Sequence, residues 1–343
     1  DGQPRFCGFA PDMGMDETGP GKRIYNTDNE EWYATIQSAI DAAEQNEELV
    51  VDPGRYLENI LCQRQVLIRS MDPNHFAYAA ATILDGSGSA DATVTCIGTN
   101  GSELIEIKGF TITGGSGSIA QTGGGIFCMY CRPLIWGCVI TGNRASMGGG
   151  IGCLYAMPTI SHCNISNNDC FSFDSLGSGG GLYVLCCENA VMENCLITGN
   201  RANVLGGAIL GVDTIGIDVN FCTLSGNRTP NEGSGLGMMN CQEVTIRNSI
   251  LWGNSNDSAF IGNPDELVVS YCDVEGGAGG LGNMAVDPVF VEAGRWDDNG
   301  TEGDPNDDYW VDGDYQLQSQ VEYWNEVTGS MQTDPNTSPC IDA

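Results

Sequence analysis

A six-residue phrase returns along this chain at steps of 23 to 32 residues. Its copies are Cys138-Val-Ile-Thr-Gly-Asn143, Cys163-Asn-Ile-Ser-Asn-Asn168, Cys195-Leu-Ile-Thr-Gly-Asn200, Cys222-Thr-Leu-Ser-Gly-Asn227, Ser249-Ile-Leu-Trp-Gly-Asn254 and Cys272-Asp-Val-Glu-Gly-Gly277. Phe110-Thr-Ile-Thr-Gly-Gly115 is an earlier copy. A period of this length marks units that cannot bury their own apolar faces and must stack on neighbours. A glycine-rich phrase precedes each turn-bearing strand: Gly123-Gly-Gly-Ile126, Gly148-Gly-Gly-Ile151, Gly179-Gly-Gly-Leu182, Gly206-Gly-Ala-Ile209 and Gly233-Ser-Gly-Leu236. A third short strand follows, as in Pro133-Leu-Ile135 and Pro158-Thr-Ile160. Each repeat thus carries about three strands and three corners, with apolar runs too short for helices.

Such a rung predicts a parallel β-solenoid. Successive rungs stack at about 4.8 Å, so equivalent positions form straight ladders. Cys138, Cys163, Cys195, Cys222 and Cys272 are expected to form one. Ile140, Ile165, Ile197, Leu224 and Leu251 form a second, and Asn143, Asn168, Asn200, Asn227 and Asn254 a third, at a corner. Asn tolerates left-handed backbone and can bond amide to amide. The glycines suit the opposite corner, where φ is positive or the backbone crowded. All three ladders read as architecture, not as an active site.

The net charge of −32, with Lys22 and Lys108 the only lysines, argues against nucleic acid and anionic lipid as partners. An anionic polysaccharide would need bridging divalent cations. Most of the 16 cysteines recur with the repeat and read as a buried thiol stack. Cys7, Cys62 and Cys340 read as lying outside the repeats and are the better disulfide candidates in an oxidising compartment. No stretch of about 18 apolar residues is present, so no membrane insertion is expected. A chain starting at Asp1 reads as a processed product, with an extracellular or cell-surface location expected.

The ends differ from the repeats. Residues 32–43 place Trp32, Ile36, Ala39, Ile40 and Ala43 at helical spacing, which predicts a helix covering the first rung. Trp310, Tyr315, Leu317, Tyr323 and Trp324 are expected to pack over the last rung. The predicted division is 1–48 for the N-terminal segment and capping helix, 49–291 for the coil, and 292–343 for the C-terminal cap with an acidic loop.

Several motifs give the chain a family likeness: Thr35-Ile-Gln-Ser-Ala-Ile-Asp41, Val51-Asp-Pro-Gly-Arg-Tyr56, Ile83-Leu-Asp-Gly86, Gly109-Phe-Thr-Ile112, the Gly-Gly-Gly-Ile repeats, Asp287-Pro-Val-Phe290 and Ser338-Pro-Cys-Ile-Asp342. With these it resembles the right-handed parallel β-helix repeat proteins of the pectate-lyase-like superfamily, most of all the secreted planctomycete-type sets. The resemblance covers about residues 32 to 343. It implies an all-β fold: a right-handed parallel β-helix (solenoid) with an N-terminal capping helix and an irregular C-terminal cap. It does not select a function, because the fold hosts lyases, hydrolases and adhesins.

The resemblance implies that a lyase of this group would use a Lys or Arg base with carboxylate-bound calcium, in an external groove. Lys108, in Glu106-Ile-Lys-Gly109, is the only lysine on the coil. Asp213 and Asp218 share a rung and are the candidate acid/base pair of a hydrolase. However, Asp213 reads as a turn residue, and Asp218 points outward between Ile217 and Val219. His162 is expected to face solvent on a strand. Arg144, Asp169, Arg201 and Arg228 follow the ladder asparagines and should project together, as a salt-bridged stripe or an anionic-sugar contact.

Asp297, Asp298, Asn299, Glu302, Asp304, Asn306, Asp307 and Asp308 form a segment rich enough in oxygen for a structural Ca²⁺, though without EF-hand spacing. Sequons make Asn100, Asn164, Asn256, Asn299 and Asn336 candidate glycosylation sites, whereas Asn227 lies in the inward ladder. The expected role is a noncatalytic extracellular surface, matrix or filament protein, self-associating through its solenoid ends and associated with polysaccharide. The alternatives are a polysaccharide lyase or glycoside hydrolase acting in an external groove, and a carbohydrate-binding module.

Overall fold

The computed structural model describes residues 23–340 apart from 118–121, 171–176, 232, 256–259, 263–266, 302–307, 321–322, 326–329 and 335. The chain winds into a right-handed parallel β-helix with three sheets. Among the described residues the long sheet has eleven strands, the second nine and the third eight. The long sheet runs in parallel from Glu47–Val51 to Leu267–Ser270. The second starts at Gly54–Tyr56 and ends at Asp273–Val274, and the third runs from Ile60–Cys62 to Phe260–Ile261.

The register puts like residues on like. Ile140 pairs with Ile165, Ile165 with Ile197, Ile197 with Leu224 and Leu224 with Leu251. Each is buried, so one aliphatic ladder fills the interior beside the second sheet. The asparagine ladder is continuous. Asn143 Nδ2 donates to Asn168 Oδ1 at 3.0 Å, and the same bond recurs from Asn168 to Asn200, Asn200 to Asn227 and Asn227 to Asn254 at 2.9–3.0 Å. Each amide also reaches a carbonyl one rung back, such as Asn200 to Ile165 O at 2.8 Å. A buried amide network holds only if its members are satisfied, and here both donors and acceptors are used. The left-handed residue at this corner is not the ladder asparagine. It is the residue before it: Gly142, Asn167, Gly199, Gly226 and Gly253.

The corner cysteines have a comparable task. Cys138, Cys163, Cys195, Cys222 and Cys272 are buried, and each sulfur donates to the carbonyl two residues back, at 3.2–3.4 Å. Ser249 occupies the same column and makes the equivalent bond to Arg247 O at 2.6 Å. A small donor is needed there because the left-handed corner turns a carbonyl inward. Cys62 departs from its expected place. It belongs to the coil, in register with Cys96 in the third sheet, and its thiol is free. Cys340 is also a free thiol, bonded to Asp273 Oδ2 at 3.0 Å, and Cys7 lies outside the described residues.

The N-terminal helix is shorter than predicted, Ile36–Ala42, with Thr35 as N-cap in a capping box with Ser38. Trp32 instead lies in the strand Glu31–Tyr33, which pairs antiparallel with Ile24–Asn26 and extends the long sheet's edge. Glu58 accepts from Ile36 N and Gln37 N, both at 3.1 Å, and fixes the helix start. The last parallel strand is Asp273–Val274, and Met284 adds one isolated parallel bridge to Asp273 beyond it. Phe290–Glu292 pairs antiparallel with Asp314–Leu317, and Arg295–Asp297 with Tyr309–Val311. This C-terminal arm lies along the flank of the coil, not only over its last rung. A Cβ on Gly199 or Gly226 would overlap the Trp310 ring, and Trp296 Nε1 donates to Gly226 O at 2.7 Å. The side chains of Tyr323 and Trp324 lie outside the described residues.

Candidate functional site

The outer face of the long sheet gathers the acid/base candidates but keeps them apart. Lys108 stacks beside Trp136, and Trp136 beside Ser161, so His162 lies two rungs beyond Lys108. The next outward column runs Glu106, Leu134, Thr159, Val191 and Asp218. Asp218 is therefore four rungs from the Lys108 rung, about 19 Å at ~4.8 Å per rung. Reacting groups must lie within hydrogen-bond reach of a shared atom, and this stagger sets Lys108 and Asp218 well beyond it.

Each candidate has its own neighbour. Lys108 Nζ sits 2.5 Å from Glu106 Oε2. Asp218 Oδ2 accepts from Arg247 at 2.7 Å, and Asp213 Oδ1 accepts from Asn240 Nδ2 at 3.1 Å. Asp218 does project outward between buried Ile217 and Val219, and Asp213 has the positive φ of a corner residue. His162 faces solvent, but from a left-handed corner and not from a strand: the strand ends at Ser161. Its Nδ1 is 2.7 Å from Ser161 Oγ, and its ring lies 5.3 Å from that of Trp136.

Opposite the Trp136–His162 pair, at the other edge of the same two rungs, Tyr130 and Tyr155 stack at 5.2 Å and remain exposed. Both carry positive φ and begin a corner column that continues through Cys186, Asp213 and Asn240. The Cys186 thiol beside Tyr155 pushes its phenol above the ordinary range. Sequence reading missed this aromatic bracket. Its signal was the 25-residue step from Tyr130 to Tyr155, which equals the step from Cys138 to Cys163.

On the opposite flank the arginine stripe forms as expected. Asp169 Oδ1 accepts from Arg201 Nε at 3.0 Å, and Arg144 Nε is 3.6 Å from Asp169 Oδ2. Arg228 lies 4.3 Å from the Trp296 ring centroid and 2.5 Å from Asp308 Oδ2. Asp308, counted among the calcium ligands, therefore faces an arginine. Asp297 and Asp298 accept from the backbone of Asn299 and Gly300 at 3.0 Å. Glu302, Asp304, Asn306 and Asp307 lie outside the described residues. Among the described residues no group of three or more His, Cys, Asp or Glu side chains is arranged to hold a metal ion.

Of the sequon asparagines, Asn100, Asn299 and Asn336 are exposed, and Asn164 is half-buried in the strand Asn164–Ser166. Asn256 lies outside the described residues. Asn227 is fully buried.

A family model described as "Right handed beta helix region" matches residues 95–284, more than half of the chain. The chain belongs to this right-handed β-helix family. No curated protein matches the chain significantly. Two solved structures of pectin methylesterase from Aspergillus niger are similar to this right-handed β-helix protein. One is in deglycosylated form and the other retains an N-acetylglucosamine stub. Each has a TM-score of 0.45 and 14% identity, over 74% of this chain and 82% of that one.

Proposed function

We propose that this β-helix is a noncatalytic, extracellular surface or matrix protein that associates with carbohydrate through the outer face of its long sheet. The observation that carries the reading is the stagger of Lys108, His162 and Asp218 across separate rungs, with Asp213 at the corner before the Asp218 strand, each beside a partner of its own. The aromatic pairs Tyr130–Tyr155 and Trp136–His162 support the carbohydrate part. They flank one stretch of sheet and offer apolar rings with polar tips, which suit sugar rings and hydroxyls. The test has two arms. Retardation in affinity gels containing neutral or uronic-acid polysaccharides measures binding, and release of reducing or unsaturated sugar ends measures turnover. Retardation that Tyr155→Ala weakens, without product, is expected. Sustained product release abolished by Asp218→Asn would overturn the noncatalytic reading in favour of an enzyme.

A further inference from the structure

We propose that Arg132 is the acid-selecting position of the long sheet's outer face, taking the carboxylate of a single uronic acid unit carried by an otherwise neutral glycan. The inference rests on the carbohydrate reading above and names the ligand class of that face.

Arg132 opens the strand Arg132–Trp136. Its inward residues Pro133 and Ile135 are buried, and Arg132, Leu134 and Trp136 point outward. Tyr130 of the stacked tyrosine pair stands just before this strand, and Trp136 of the Trp136–His162 pair ends it. The strand covers about 13 Å from Arg132 to Trp136, so a short oligosaccharide laid along it meets a tyrosine ring, the guanidinium and the indole in turn.

The guanidinium is exposed and, among the described residues, has no partner. The other described arginines and Lys108 each face a carboxylate, a carbonyl or a phenol. In a chain with 45 acidic and 13 basic residues an unpaired arginine is the exception. Glu103, whose carbonyl accepts from Arg132 N at 2.8 Å, directs its carboxylate to Thr99 N at 3.1 Å and Asn100 N at 3.4 Å instead. The register partner of Arg132 on the preceding rung is the exposed, apolar Leu104. A guanidinium binds a carboxylate through two parallel hydrogen bonds, and its rigid fork fixes the orientation of that group.

The surroundings of Arg132 restrict the ligand to sparse charge. A groove of about 280 Å³ runs over the preceding rungs of the same face, lined by Asn46, Glu48, Gln65, Leu67, Leu104 and Glu106 among others. Leu104 joins it to Arg132. Glu48 and Glu106 are already paired, with Arg69 and Lys108. The groove therefore offers amides, paired charges and aliphatic surface to sugar hydroxyls and rings, but no free cation to a second acid. A polyuronate would bring further carboxylates against a chain of net charge −32. A neutral backbone with one acid in reach of Arg132 meets no such repulsion.

Affinity gels and titration calorimetry test this with glucuronoxylan and a glucuronic-acid-bearing arabinogalactan, each beside its carboxyl-reduced form, and with homogalacturonan as the polyuronate. Wild-type protein is expected to bind at least one of the acidic glycans about tenfold more tightly than its reduced form, and more tightly than homogalacturonan. Added salt should shrink that difference. In Arg132→Gln the acidic and reduced forms should bind alike. Arg132→Lys should keep only part of the difference, since an ammonium lacks the planar fork. Tyr155→Ala should weaken both forms. Equal binding of the two forms by wild type, a difference that survives in Arg132→Gln, or a preference for homogalacturonan overturns the proposal and leaves the carbohydrate reading standing. Wild-type protein that binds none of these glycans overturns both.

Discussion

Gln37 and Leu61 are joined as if they were adjacent strand residues. Leu61 N donates to Gln37 Oε1 at 2.7 Å, and Gln37 Nε2 donates to Leu61 O at 3.2 Å. The amide satisfies the open edge of the first third-sheet strand. Asn283 serves the far end in the same way, donating to Val269 O at 3.0 Å and accepting from Cys272 N at 3.0 Å. Unpaired strand edges template association, so end-to-end stacking of this solenoid must first displace these amides. Gln37→Ala is expected to cost about 1–2 kcal/mol in urea denaturation. Sedimentation velocity should show the variant self-associating at concentrations where the wild type stays monomeric. An unchanged sedimentation profile would remove Gln37 from this role.

Asp85 is a fully buried carboxylate paired with Arg55, and it accepts from Ser87 N at 2.9 Å. Burial raises its pKa, but the Ser87 bonds and the Arg55 guanidinium prevail and hold it below the ordinary range. A depressed folded value means that the stabilisation is present above the ordinary aspartate range near pH ~4 and disappears as pH falls through the folded value. Arg55 is mostly exposed, so solvent screens its share and the Ser87 bonds carry most of the depression against the opposing effect of burial. The difference in urea midpoint between wild type and Asp85→Asn should be constant near neutrality and shrink below about pH 4.

Cys195 tests the role assigned to the corner thiols. Cys195→Ser keeps the donor to Glu193 O and should change stability by less than about 1 kcal/mol. Cys195→Val matches the apolar interior but leaves that carbonyl unpaired, with an expected loss of about 1–3 kcal/mol. Equal effects in guanidinium denaturation would show that volume alone matters at this corner.

Gly226 permits the arm to dock. Its φ is +66°, and the Trp310 ring lies where a Cβ would stand. Gly226→Ala should release the arm and strain the corner by about 1–2 kcal/mol. Trp310→Ala should release the arm with the rungs unchanged. Hydrogen exchange is expected to rise in residues 290–317 of both variants, and within the rungs of Gly226→Ala only.

Calcium binding by the acidic segment is proposed from ligand chemistry, and Asp308 gives it a discriminating test. Because Asp308 faces Arg228, Asp308→Asn should loosen the arm while leaving any calcium-dependent rise in melting temperature intact. Asp297→Asn with Asp298→Asn should reduce that rise. A melting temperature that does not respond to calcium in wild-type protein would end the proposal.

The interior of the coil was legible in the sequence because a rung repeats its environment. Cys138 and Cys163 meet the same corner, so selection for a small buried donor acts at each, and the step between them becomes visible. The same logic ordered Ile140 above Ile165 and Asn143 above Asn168. It failed for Cys62, because the short helix Phe76–Ala81 lies between Cys62 and its register partner Cys96 and lengthens that step without altering register. It also credited the ladder asparagines with the positive φ that belongs to the residue before them. Both neighbours are commonly Asn or Gly, and composition alone cannot separate a turn residue from its neighbour.

The periodic pattern by itself determined the solenoid, its ladders and the near-absence of helix, since in-register stacking is the only way such short apolar strands bury their faces. What lies outside the period was decided only by the tertiary structure. Trp310 meets Gly199 and Gly226, Arg228 meets Asp308, and Lys108 is set four rungs from Asp218. These relations depend on where an arm crosses the flank and on how many rungs separate two side chains. Contacts of that kind join segments 80 or more residues apart, and no local pattern of residues encodes them.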